Sequence, residues 1–118
     1  MFYHKLFMSC ALLSLAQLSY AQTGKLENGC RIKVRSDAVV ILVCPENASA
    51  EVWRAAGEAA CGPKLLCNAW VWDDNAKAPE TAPITDADLP KNATAQAVAI
   101  WVNDSKSLVT LKKAVFSK

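Results

Sequence analysis

The sequence predicts a small α+β domain of two layers: a β-hairpin leading into a β-α-β unit, a long loop, and a C-terminal β-hairpin. Three observations carry that expectation. A strictly alternating pentapeptide, Arg31-Ile32-Lys33-Val34-Arg35, is followed after two turn residues by an unbroken apolar run from Ala38 to Cys44. A capped, alanine-rich segment separates that run from a second one, Leu65 to Trp72. Prolines 79, 83 and 90 then break up residues 73–92, beyond which two further strand-like stretches flank Asn103-Asp104-Ser105-Lys106.

Each element has a local cause. Residues 22–29 have no periodicity and are expected to form a loose arm. Alternation at 31–35 is the period of a strand buried on one face, and Ser36-Asp37 supplies turn chemistry. The run 38–44 is β-branched at Val39, Val40, Ile41 and Val43, which suits a central strand covered on both faces. Pro45 ends it. Asn47 or Ser49 is placed to cap a helix over Ala50 to Ala60, whose Val52, Trp53, Ala56, Ala59 and Ala60 are spaced to make one apolar side. Gly62 and Pro63 terminate that helix in the usual order. A strand, a helix of about three turns and another strand imply a parallel pair. Thr85-Asp86-Ala87-Asp88 is suited to a single helical turn within the long loop. Gln96 to Val102 and Leu108 to Val115 are expected to form the second hairpin, with a second helix at 93–102 as the alternative.

The N-terminus carries an address. Lys5 precedes an apolar stretch from Leu6 to Ala16 and a more polar tail, in which Ser19 and Ala21 occupy the −3 and −1 positions of a small-x-small cleavage site. Residues 1–21 are expected to be a cleavable signal peptide, and residues 22–118 a single disulfide-stabilised domain in the periplasm or outside the cell. The 11-residue apolar core falls short of the ~20 residues a membrane span needs. Cleavage removes Lys5 and leaves 12 basic against 11 acidic side chains. That balance gives no reason to expect nucleic acid or an anionic membrane as partner.

Cleavage also removes the only histidine, both tyrosines and both methionines, all at or before Tyr20. Histidine-dependent nucleophilic catalysis and histidine-containing zinc sites are thereby excluded from the mature chain. No glycine-rich phosphate loop and no Cys-x-x-Cys redox pair occur. No cofactor is expected. The expectation is a domain that binds rather than catalyses, such as an inhibitor, an immunity-type protein or an envelope accessory protein. Its partner is expected to be another protein or an envelope component, with a homodimer among the options. The alternatives are a small carboxylate-dependent hydrolase and a self-associating structural component of the envelope.

The mature chain retains four cysteines. A hairpin centred on Asp37 sets residues whose numbers sum to 74 opposite each other, which pairs Cys30 with Cys44. Cys61 at the helix end and Cys67 at the start of the next strand lie at the same end of the unit, so Cys61–Cys67 is the expected second bridge. The candidate binding residues are Trp70, Trp72 and Trp101, taken together as one face, and Asp73, Asp74, Lys77 and Pro79 from the long loop. Asp73, Asp74, Asp86 and Asp88 are weak candidates for Ca²⁺, against the ordinary reading that they make turns. Arg31, Lys33 and Arg35 are expected to project from one face as a basic stripe that serves an anionic partner or guards a sheet edge. The strands read as apolar on both faces while only one helix is evident, so the 73–92 loop or a partner must cover the second face. Asn47, Asn92 and Asn103 fit the glycosylation acceptor pattern, and are taken as caps and turns.

Overall fold

The computed structural model describes residues 24–26 and 28–111. The expected signal peptide, and the end of the last strand beyond Leu111, lie outside the described residues. The described chain forms a six-stranded sheet whose spatial order is the order of the sequence. Its strands are β1 (Gly24–Lys25), β2 (Arg31–Arg35), β3 (Val39–Val43), β4 (Asn68–Trp72), β5 (Ala99–Val102) and β6 (Ser107–Thr110). Helix α1 (Ala50–Cys61) links β3 to β4, the one parallel pair; every other pair is antiparallel. The expected α+β architecture is observed, with hairpin, β-α-β unit, long loop and second hairpin in that order.

Helix α1 begins where Ser49 Oγ accepts from the Val52 amide at 3.3 Å, so Ser49 rather than Asn47 is the cap. It ends at Gly62, whose φ of 58° is a left-handed conformation that glycine adopts without steric cost. The Gly62 amide donates to Glu58 O. Arg35, reaching across from β2, donates to Ala60 O at 2.8 Å and satisfies another of the terminal carbonyls that a helix leaves open. The buried side of α1 is Ala56, Gly57, Ala60 and Cys61. Ala59, assigned to that side from its spacing, is exposed.

Two cores result, one on each face of the sheet. On the helix side, Ile32, Val40, Leu42, Ala69, Val71, Ala99 and Trp101 pack with α1 and all four cysteines. On the other side, Val39, Ile41 and Trp72 pack beneath Ala78, Leu89, Ala93 and Ala97. The second face is therefore roofed by the chain between β4 and β5. That segment contains single 3-10 turns at Asn75–Lys77 and Asp86–Asp88, and one short helix, α2 (Lys91–Thr94).

Four details differ from the sequence expectation. The arm before β2 is not loose: Gly24 pairs with Ile32, Lys25 with Arg31, and Leu26 N–H donates to Cys30 O. The strand expected from Leu65 starts at Asn68, because residues 62–67 are drawn into a closed loop. The hairpin strand expected from Gln96 starts at Ala99, after α2, and the alternative helix at 93–102 does not form, since the Val98 amide donates to Val71 O and draws the chain into the sheet. Finally, β2 is not regular. Arg31↔Val43 and Ile32↔Leu42 sum to 74, but Val34↔Ile41 and Arg35↔Val40 sum to 75, with a bulge between.

The bulge has a mechanical cause. The tight turn at Asp37-Ala38 closes with Ser36 N–H donating to Val39 O, which fixes the sum at 75. The disulfide Cys30–Cys44 fixes it at 74 at the other end. One extra residue must be absorbed between these two constraints, and Lys33 is that residue.

Candidate functional site

The bulge divides the basic stripe. Arg31 and Lys33 turn to the loop side, whereas Arg35 turns to the helix side and Ala60. The expectation that all three project from one face is therefore corrected: alternation across β2 fails at Lys33. Lys33 Nζ donates to Asn75 O and Ala78 O, both at 2.8 Å, and to Glu80 Oε2 at 2.9 Å. Its side chain is only 9% exposed. Arg31 adds a bond to Asn75 Oδ1. These cations fasten the loop to the sheet.

The same segment is fastened at three further points. Ser36 Oγ donates to Pro83 O at 2.6 Å. Asp86 accepts from Asn68 Nδ2 and, at 3.1 Å, from Trp70 Nε1. Trp72 Nε1 donates to Ala93 O at 2.8 Å. The long loop is thus a strapped cover, tied to the sheet at each of these points.

The tryptophan face expected from the sequence does not exist as a unit. Trp70 and Trp72 do share a side, their rings stacked with centroids 6.2 Å apart. Trp101 pairs with Ala69 across β4 and β5, and cross-strand partners face the same way, so Trp101 lies under α1 on the opposite side. Trp72 and Trp101 are also fully buried, which removes both from any contact surface.

The acidic candidates separate as well. Asp73, Asp74 and Lys77 do come together, lining a cleft of about 460 Å³ with Glu46 and Asn75. Asp74 also caps the turn behind it, its Oδ1 accepting from the Ala76 amide at 3.0 Å. Pro79 lies beyond that cleft, half-buried in the strap. Asp86 is held by Asn68 and Trp70, and Asp88 accepts from Thr85 Oγ1 at 3.2 Å. Among the described residues no group of three His, Cys, Asp or Glu side chains is placed to hold a metal ion, so the four Ca²⁺ candidates form no ligand set.

The most distinctive surface is at the other end of β4. Cys61 and Cys67 are disulfide-bonded, closing a loop over residues 62–66. Asn103, fully buried, holds that loop from within: its Nδ2 donates to Gly62 O at 3.0 Å and to Lys64 O at 2.6 Å. Its Oδ1 accepts from Trp101 Nε1 at 2.9 Å and Lys106 Nζ at 3.1 Å, and its amide donates to Cys67 O. Burial also closes Asn103 to glycosylation. On this doubly anchored loop Leu65 and Leu66 stand 66% and 76% exposed. The expected Cys61–Cys67 bridge is the cue that the sequence holds for this loop, although an apolar Leu-Leu pair ahead of a strand reads as part of it.

Beside the loop runs a groove of about 530 Å³ between β2 and the last turn of α1. Ile32, Ala59 and Ala60 contribute apolar surface, and Arg35, Asp37 and Lys64 contribute charge. Lys64 Nζ meets Asp37 Oδ1 at 2.7 Å. That hydrogen bond, with the charge of Lys64, holds the Asp37 carboxyl below its ordinary pKa; Arg35 adds a smaller effect in the same direction.

Among the described residues no helix is long and apolar enough to cross a membrane. Comparison with known proteins finds no matching family model, no matching curated protein and no matching solved structure.

Proposed function

We propose that this chain is an exported, non-catalytic binding domain that docks onto another protein or an envelope component through the Cys61–Cys67 loop. One observation carries the reading: Leu65 and Leu66 are exposed on a loop closed by a disulfide and bonded from inside by a buried asparagine. Two exposed leucines on a flexible loop would be unremarkable. Held in one conformation, they form an apolar anchor that loses little entropy when it binds. Two buried disulfides suit an oxidising compartment, in agreement with the leader-like N-terminus. A role in binding is also supported by a mature composition without histidine or tyrosine.

The test compares residues 22–118 with the double variant Leu65→Ser/Leu66→Ser. Exposed substitutions should each shift stability by no more than about 0.5 kcal/mol, so both proteins should melt together. Affinity capture from the native envelope or medium should recover a partner with the parent chain and lose it with the variant. Equal recovery by both would place the contact elsewhere and overturn the reading.

A further inference from the structure

We propose that the groove beside the outer edge of β2 binds an extended, acidic segment of the partner protein, added as a strand next to β2. The inference rests on the binding role argued above and names the chemistry of what is bound.

Three observations converge on this groove. Strand β1 pairs with β2 only at Arg31 and Ile32, so Lys33 to Arg35 have no strand on their outer side among the described residues. A cavity of about 530 Å³ adjoins that edge, with aliphatic surface from Ile32, Ala59 and Ala60. An unpaired edge next to a side-chain pocket is what strand addition uses: the backbone supplies hydrogen bonds and the pocket selects side chains. Opposite Ile32 stands Gly24, which has no side chain to obstruct the approach.

Charge identifies the occupant. Of the three ionic groups in the groove, Asp37 is engaged by Lys64. Arg35 has one hydrogen bond, to Ala60 O, and no carboxylate within ion-pair distance among the described residues. A guanidinium carries five N–H donors in a fixed fork. The bond to Ala60 holds it in place, leaving the rest of the fork for an incoming carboxylate. The groove holds two cations, Arg35 and Lys64, against one carboxylate, Asp37, with an aliphatic slot beside them; its complement is an acidic strand with aliphatic side chains.

The probe is a fluorescein-labelled octapeptide of alternating glutamate and valine, titrated into the purified mature protein, with the lysine-valine counterpart as control. The acidic peptide should bind saturably below about 1 mM, at least tenfold more tightly than the basic one. Amide shifts should be confined to residues 33–37 and 59–64. Arg35→Gln should weaken binding about tenfold. Because Arg35 also supports α1, Ala59→Trp serves as an independent variant: it fills the groove from an exposed helix position and should abolish binding while the protein stays folded. Leu65→Ser/Leu66→Ser should bind the peptide as the parent does. Equal binding of both peptides, no binding at 1 mM, or shifts located elsewhere would each overturn the proposal. So would binding that required prior deletion of Gln22 and Thr23, since the edge would then belong to this chain's own N-terminal residues. If the peptide fails while capture still depends on Leu65 and Leu66, only the groove proposal falls.

Discussion

Gly57 lies directly against Trp101: a Cβ placed on Gly57 would stand 2.4 Å from both Cβ and Cγ of the tryptophan. Helix α1 can approach the sheet this closely only because it has no side chain at that point. In an isolated helix, Gly→Ala is worth about 1 kcal/mol in favour of alanine. Here the clash is with atoms next to the Trp101 backbone, which cannot swing aside. Gly57→Ala should therefore destabilise the protein by about 1–3 kcal/mol. The check is a lower denaturation midpoint at unchanged denaturant dependence.

Asn103 joins the β5–β6 turn to the Cys61–Cys67 loop through its bonds to Gly62 O and Lys64 O. Asn103→Ala leaves those carbonyls and the Trp101 indole N–H without their partner. Loss of such a network should cost roughly 2–4 kcal/mol. Hydrogen exchange should accelerate first at residues 62–67, and binding through Leu65 and Leu66 should weaken even at temperatures where the fold persists. A variant that lost stability without loosening this loop would contradict the hub role.

Asp86 receives both Asn68 Nδ2 and Trp70 Nε1. Asp86→Ala frees the middle of the strap. The expected result is a loss of about 1–3 kcal/mol, a change in Trp70 fluorescence, and faster exchange over residues 78–89. Unchanged fluorescence and exchange would show that the strap is held without it.

Asp37 gives a pH signature. Its carboxyl is depressed in the folded state chiefly by the hydrogen bond from Lys64. A depressed acid stabilises the fold above its unfolded pKa, near 3.9, and loses that contribution as pH falls through the lower folded value. The effect is small because Asp37 is exposed to solvent. A carbon-detected NMR titration should place its midpoint below that of an ordinary aspartate, and Lys64→Ala should move it back up.

How far the sequence disclosed this structure depends on the range of the constraint. Strand β3, helix α1 and its Gly62 stop were legible because their signals are local. The partnership of Cys30 with Cys44 was legible because a hairpin converts separation into register. The bulge at Lys33 was hidden: it arises from two constraints at opposite ends of a hairpin that disagree by one residue, while the residues between alternate perfectly. That mismatch decides which side Arg35 serves, and so it decides the groove. The tryptophan face failed for a related reason. Trp70 and Trp72 share a strand, so their common side follows from parity, but Trp101 depends on the β4–β5 register, which spacing alone does not give. Leu65 and Leu66 read as strand because hydrophobicity is the same in a strand and on an anchored loop; the Cys61–Cys67 bridge closes that loop, and Asn103, far along the chain, holds it from within.

The strap between β4 and β5 bears on how the molecule comes apart. A sheet whose strands follow chain order invites stepwise fraying, each edge hairpin peeling off while the rest survives. Here the chain leaves β4, bonds to β2 through Lys33 and Ser36, and returns to become β5. An edge cannot peel beyond β2 or β5 without also releasing this belt, and the belt cannot be released without exposing the core it covers. Cooperativity is thereby imposed by the route of one segment, and the far-ultraviolet and tryptophan signals should vanish together in a single transition.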